Sequence, residues 1–333
     1  MTDDSHSGGG ERVVLLCPGQ GAQQVGMGKA WAEAFPAAAQ TFAAADEALA
    51  DLPALGGVPL SRVCFEGPIE LLSRTDISQP ALYTCGVACW QAMLEHSDPP
   101  RLMAAAGLSL GEYTALHLAG AFSFLDGLRL VATRGRLMQE AAEKSLGGMV
   151  ALIGADEAQA TAVCEQAAEG QVLVCANFNA PGQIVISGDR AACDRAVAVA
   201  GELGLRAAAL QVAGAFHSPL MQPAADGLES ALTDIDFGPP HCPVWSNVTA
   251  GPHDPENLRD LRKNLVLQLV RPVKWSHCCT DLISSLPPGT EAGWSMHELA
   301  PGTVLRGLMK RIDRSIGVQS HDQPQTPAES RRS

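Results

Sequence analysis

The chain has 333 residues, 46% of them apolar, and a formal net charge of −13. That apolar content is ample for one large core or two smaller ones, and the acidic balance argues against nucleic acid as a main partner. No uninterrupted apolar run is long enough to span a membrane, and the opening stretch, Met1 to Glu11, lacks the apolar segment of a secretory signal and the arginines of a transit peptide.

Taken in chain order, Arg12 to Cys17 reads as a buried strand closed by Pro18-Gly19. Val25 to Ala50 reads as helical. A second helical region follows Ile69, and a third runs from Gln79 to Glu95. Leu102 to Ala106 is an apolar strand, and helices follow from Glu112 and from Ser123. Strands alternating with long helices predict an α/β fold with a parallel sheet covered on both faces. The texture then changes. Gly148 to Ile153 is strand-like, Asp156 to Ala168 helical, and Val172 to Ala176 and Gln183 to Ser187 are strands around the turn Asn179-Ala180-Pro181-Gly182. Asp189 to Leu203 is helical, and Leu205 to Val212 is a last strand. This β-α-β-β-α-β order is that of a ferredoxin-like unit. The organisation predicted is a larger unit from residues 12–146 and 213–318, a smaller inserted unit at 147–212, and disordered tails at 1–11 and 319–333.

Ten cysteines are scattered without a Cys-x-x-Cys pair, so they read as small buried hydrophobes of a reducing compartment rather than as disulfides or zinc ligands.

Gly107-Leu108-Ser109-Leu110-Gly111 follows the Leu102–Ala106 strand and precedes a helix. A Gly-x-Ser-x-Gly turn in that context lifts a serine hydroxyl to the end of the strand, beside free N–H groups at a helix N-terminus. Such a serine needs a base. His6 and His321 lie in the expected tails, and His96 and His253 in polar loops. His217 is better placed: Ser218-Pro219 marks a helix start, so His217 sits where the small unit hands over to the large one. An ordinary loop histidine is the competing reading. Arg134 has Leu130, Val131, Leu137 and Met138 three and four residues away, which puts its guanidinium on the apolar face of a helix, whereas Arg136 lies on the wet face. It is either half of a structural ion pair or a clamp for a substrate carboxylate.

Gly19-Gln20-Gly21-Ala22-Gln23 after the first strand is a glycine-rich turn but not a phosphate loop. Gln24 takes the third glycine position of the dinucleotide fingerprint, and Gly28-Lys29-Ala30 lacks the hydroxyl residue of a Walker sequence. It can still present an N–H to an oxyanion, with Gln20 and Leu110 as the two donors. An esterase of the α/β-hydrolase type would place an acid and a histidine late in the chain; His277 and His297 are the late histidines, and neither follows a well-spaced acid.

Together, Gly19–Gln23, Gly107–Tyr113, Thr133–Gln139 and Gly214–Ser218 resemble the malonyl-CoA:acyl-carrier-protein transacylases of fatty-acid synthesis. Asn177–Gln183, Gln268–Trp275 and Glu298–Gly302 fit as well, and the resemblance runs from about Val13 to Ile312. It implies an α/β-hydrolase-like core with an inserted ferredoxin-like subdomain. By position it implies Ser109 as nucleophile and His217 as its base, steadied by the main-chain carbonyl of Gln268. It further implies Arg134 as the grip on the malonyl carboxylate, Gln20 and Leu110 as oxyanion donors, and Phe216, Gln268 and Asn179 on the substrate side. Many relatives carry histidine where this chain has Leu108. The resemblance also implies a cytoplasmic monomer without bound cofactor, whose substrates are malonyl-CoA and the phosphopantetheine of an acyl carrier protein. A polyketide or polyunsaturated-lipid pathway, a thioesterase of the same core, and a non-catalytic scaffold are the alternatives.

Overall fold

The computed structural model describes residues 11–95, 98–287 and 293–324. Of the expected tails at 1–11 and 319–333, residues 1–10 and 325–333 lie outside the described residues, as do His6 and His96.

The chain opens with β1 (Arg12–Cys17), α1 (Lys29–Ala34), α2 (Pro36–Ala48), α3 (Leu60–Glu66), α4 (Ile69–Leu72) and α5 (Thr75–Leu94). It continues with β2 (Arg101–Gly107), α6 (Leu110–Leu118) and α7 (Phe124–Lys144). The next segment is β3 (Gly147–Ile153), α8 (Glu157–Ala168), β4 (Leu173–Ala180), β5 (Gln183–Asp189), α9 (Arg190–Glu202) and β6 (Arg206–Ala209). Finally come α10 (Gln222–Ala231), β7 (Val244–Trp245), α11 (Leu258–Leu267), α12 (Trp275–Ser285), β8 (Trp294–Glu298), α13 (Val304–Ile312) and β9 (Val318–Ser320).

Two sheets result. The first has the order β7-β2-β1-β8-β9, and every strand pair in it is parallel. Its central strand shows why both faces are covered. Side chains alternate along a strand, so Val13, Leu15 and Cys17 enter one apolar cluster with α5 and α6, while Val14 and Leu16 enter another with Trp275, Met296 and Met309. All five of these β1 residues are fully buried.

The second sheet has the order β4-β5-β3-β6 and only antiparallel pairs. Val150, Leu152, Ile184 and Ile186 pack on Ala160, Val163, Ala192 and Ala196 of α8 and α9. Helix α8 begins with a reciprocal cap between Asp156 and Gln159. Met149 and Val185, one residue out of phase, point the other way and face a cavity shared with the first sheet.

Some expectations needed correction. The helix expected over 25–50 is two helices, because Pro36 takes the first position of a new one after extended Phe35. The third helix begins at Thr75 and carries Pro80 inside it. Strand β6 ends at Ala209, and Leu210 to Ala213 line the cavity instead. The polar end is not all tail. Residues 318–320 form β9 beside β8, His321 is buried, and Trp31 Nε1 donates to its carbonyl at 3.1 Å. All ten cysteines are free thiols, nine of them buried, and burial pushes those of Cys89 and Cys242 up to about 12. Among the described residues no helix is long and apolar enough to cross a membrane.

Candidate active site

Strand β2 ends at Gly107 and helix α6 starts at Leu110, so the chain must reverse within two residues. A Cβ on Gly107 would collide with the carbonyl group of Gly111, and one on Gly111 with the carbonyl of Cys17, so both glycines are required by close backbone approach. Ser109 between them has φ 53° and ψ −103°, a region that L-residues rarely enter. Its main-chain N–H donates to Asn247 Oδ1 at 2.7 Å, and Asn247 Nδ2 donates to the Gly107 carbonyl at 2.8 Å. The elbow is thus stapled from the β7–α11 connection. Leu110, buried, occupies the first turn of α6, where an N–H has no partner within the helix.

His217 also has a positive φ, 56°. Ser218 after it accepts from the N–H of Leu220 at 3.3 Å and donates from its hydroxyl to the Ala215 carbonyl at 2.7 Å, which fixes the turn. His217 Nε2 lies 2.9 Å from Ser109 Oγ, and its Nδ1 lies 2.7 Å from the main-chain oxygen of Gln268. A carbonyl can only accept, so Nδ1 carries the proton and Nε2 is left to accept from the serine hydroxyl. Burial, and then the charge of Arg134, push the imidazole down to about 4, against the pull of the Gln268 carbonyl. The ring is therefore neutral and ready to take a proton at neutral pH.

Arg134 is 1% exposed. Its helix α7, capped by Ser123, turns its apolar face toward α5, as the spacing predicted. Nη1 donates to Gln79 Oε1 at 2.6 Å, and Nη2 donates to Gln268 Oε1 at 2.9 Å and to Ser109 Oγ at 3.0 Å. The guanidinium stands 5.0 Å from the centre of the Tyr113 ring. Among the described residues no carboxylate forms a salt bridge with it, and its Nε has no hydrogen-bond partner. The Glu112 carboxylate acts on it only at a distance, without a direct ion pair. A buried cation with no carboxylate in direct contact can accept one from a ligand.

A cavity of about 360 Å³ opens in front of these groups, between the two sheets. Gln20, Ser109, Leu110, Arg134, Asn179, Phe216 and His217 all line it. Gln20 comes from the loop after β1 and donates from its side chain to Thr75 Oγ1 at 3.3 Å. Phe216 is buried beside the base, and Asn179 reaches in from β4 with its Oδ1 unpartnered. Gln268 is not on the cavity wall. It sits behind it, holding His217 with its main chain and Arg134 with its side chain. Leu108 lines the cavity and packs in the cluster behind β1. Of the late histidines, His277 on α12 meets Glu157, and His297 on β8 bonds to Ser295 and His321; neither reaches the cavity.

Sequence reasoning missed Gln79, Asn247 and the pair Glu112–His253, which are all buried polar residues behind the site. Only Glu112 carried a visible signal, as an acid in the first turn after the elbow.

A family model described as the acyl transferase domain matches residues 14–311. The malonyl CoA-acyl carrier protein transacylase of Salmonella typhimurium is 41% identical over 316 residues, covering 94% of this chain and 96% of that protein. The crystal structure of a malonyl-CoA:acyl carrier protein transacylase from Xanthomonas oryzae superposes with a TM-score of 0.85 at 42% identity, covering 96% of each chain. A malonyl-transacylase in complex with its type II PKS acyl-carrier protein gives 0.84 at 38% identity, with 94% of this chain and 96% of that one covered.

Proposed function

Starting from the chain's membership of the acyl transferase family, in its malonyl-CoA:acyl-carrier-protein transacylase branch, we propose the following course for the reaction. The protein is an acyltransferase that moves a malonyl group from malonyl-CoA to acyl carrier protein. The single observation that carries our reading of the chemistry is Arg134: a buried guanidinium with no carboxylate in direct contact among the described residues, 3.0 Å from a serine that is 2.9 Å from a neutral histidine. It supports a substrate whose acyl group ends in a carboxylate.

His217 Nε2 takes the proton of Ser109 Oγ as the oxygen attacks the thioester carbonyl. The tetrahedral oxyanion is held by the main-chain N–H groups of Gln20 and Leu110, next to the positive end of α6. The C–S bond breaks, and the leaving sulfur takes the proton back from His217 as free CoA. The malonyl ester on Ser109 is then attacked by the phosphopantetheine thiol of the carrier, His217 again taking and returning the proton, so the kinetics are ping-pong. Arg134 holds the free carboxylate throughout, which keeps the acyl carbonyl aimed at Ser109. Phe216, beside the base, narrows the space at the α-carbon, and Asn179 offers an acceptor to the arm of the substrate. The enzyme holds no cofactor of its own and acts as a cytoplasmic monomer. We read the larger unit as α/β-hydrolase-like and the smaller as ferredoxin-like; the elbow at the end of a parallel strand and the β-α-β-β-α-β order support this.

The test is release of CoA from malonyl-CoA with and without holo carrier protein. We expect turnover that requires the carrier and falls by about 10⁴-fold or more in Ser109→Ala and in His217→Ala. Release at the same rate without carrier would make the protein a thioesterase.

A further inference from the structure

Behind the cavity lies a polar cluster for which the transfer chemistry has no direct use. Glu112, the third residue of α6, is fully buried, and so is the side chain of His253 in the loop after β7. Three donors converge on the one carboxylate. His253 Nε2 donates to Oε1 at 2.8 Å, the main-chain N–H of Asn247 donates to Oε2 at 3.0 Å, and Gln268 Nε2 donates to Oε2 at 2.6 Å. Nothing there touches the cavity.

The consequence lies in Gln268. An amide side chain can be turned by half a rotation at little steric cost, which exchanges its oxygen and nitrogen. Here each end faces a full charge of opposite sign: Nε2 faces the Glu112 carboxylate, and Oε1 accepts from Arg134 Nη2 at 2.9 Å. Both bonds are charge-assisted, and the low polarity of the surroundings strengthens them. Turned over, the amide would present N–H to a guanidinium, which has no acceptor, and oxygen to a carboxylate, which has no donor. Nε2 also donates to the Ser109 main-chain carbonyl at 3.0 Å and to Asn247 Oδ1 at 3.4 Å. The Glu112 bond is the shortest and the only one to an anion, so the carboxylate makes the largest contribution to which way Gln268 points, and Gln268 supplies one of the acceptors that aim Arg134.

We propose that Glu112 and His253 are positioning residues for donor selection: the carboxylate, oriented by the imidazole, locks the Gln268 amide and so holds Arg134 where it meets the substrate's carboxylate. The proposal rests on the reading of Arg134 given above. It predicts an effect on the discrimination between malonyl and acetyl donors, and a merely structural residue would not move that ratio.

The experiment compares kcat/KM for malonyl-CoA and for acetyl-CoA, with holo carrier as acceptor, in the wild-type chain and in folded variants. In Glu112→Gln, the new amide offers one acceptor and one donor group to three converging donors, and the Gln268 amide loses its charged partner, keeping only the neutral acceptors of Ser109 and Asn247. The malonyl-to-acetyl ratio should fall by up to about 10²-fold, the scale of a small misplacement at a reacting centre. Should that variant not fold, the His253 pair decides alone. His253→Leu removes the N–H and should lower the ratio by about 10-fold, and His253→Gln, which restores an N–H in reach, should recover most of it. An unchanged ratio in the folded variants overturns the proposal, whether both donors are unaffected or both fall in parallel. The wild-type arm keeps the two readings apart: absence of malonyl preference there contradicts the role of Arg134 itself.

Discussion

At the scale of single residues, the proposed mechanism makes Arg134 the selector of what this site accepts and His217 the group that sets when it works. On the proposed role, removing the guanidinium would take away the partner of the substrate's carboxylate in a desolvated cleft, a loss of about 2–5 kcal/mol. Arg134→Ala should therefore lower kcat/KM for malonyl-CoA by about 30-fold or more, and for acetyl-CoA far less; equal losses would return Arg134 to a structural role. The same cation disfavours a second positive charge on His217, after burial has already pushed it down to about 4. The acid limb of kcat/KM against pH should accordingly lie near pH 4, not near the ordinary histidine value. In Arg134→Ala it should move up, while staying below that ordinary value because burial is the larger cause. The stability sign follows from the same shift. Between the unfolded value and about 4, the unfolded chain binds a proton that the native ring refuses, so stability falls as pH drops through that window. Arg134 was legible because its helical neighbours are apolar, and Ser109 because glycines flank it. Gln79, Asn247 and His253 were not: each acts through a contact with a residue remote in sequence, and a polar residue in a helix or a loop gives no sign of that contact until the chain is folded.

At the scale of elements, the strand–elbow–helix of β2 and α6 does the positioning. It puts Ser109 in a backbone conformation costing about 1–3 kcal/mol, held by the Asn247 staple and by α6 packed on β2 and β1. Gly107→Ala or Gly111→Ala forces a methyl into backbone, and urea denaturation should show a loss of about 3 kcal/mol or more. A midpoint within experimental error of the wild type would mean the turn is less tight than described. Most elements could be read from periodicity and caps, for instance α8 with its Asp156 start and β5 within Gln183–Asp189. Helix α3 could not, since its seven residues span too few turns to reveal a period. Strand β9 could not either: its three residues are polar, and it exists because β8 offers an edge.

At the scale of the whole molecule, the cavity belongs to both sheets: Ser109, Leu110 and Gln20 follow the ends of β2 and β1 of the parallel one, and Asn177, Asn179 and Val185 stand on the antiparallel one. The C-terminal segment closes the far edge of the parallel sheet. Asp322 Oδ1 accepts from the main-chain N–H of Gly302 at 2.6 Å and from Gln24 Nε2 at 2.9 Å, tying the segment after β9 to the loop that carries Gln20. Asp322→Ala should cost about 1–3 kcal/mol in thermal or urea unfolding, and no change would make this clasp ornamental. The alternation of strands and helices foretold the parallel sheet, but not that residues 318–322 would pack against it, because their composition is that of a tail. The proposed mechanism turns on one covalent event, the loading of the elbow serine. Mixing the protein with malonyl-CoA in the absence of carrier and mapping the adduct by peptide mass spectrometry tests it directly. A malonyl ester on Ser109 that disappears when holo carrier protein is added is the expected result; an adduct on any other residue, or none, would contradict the mechanism.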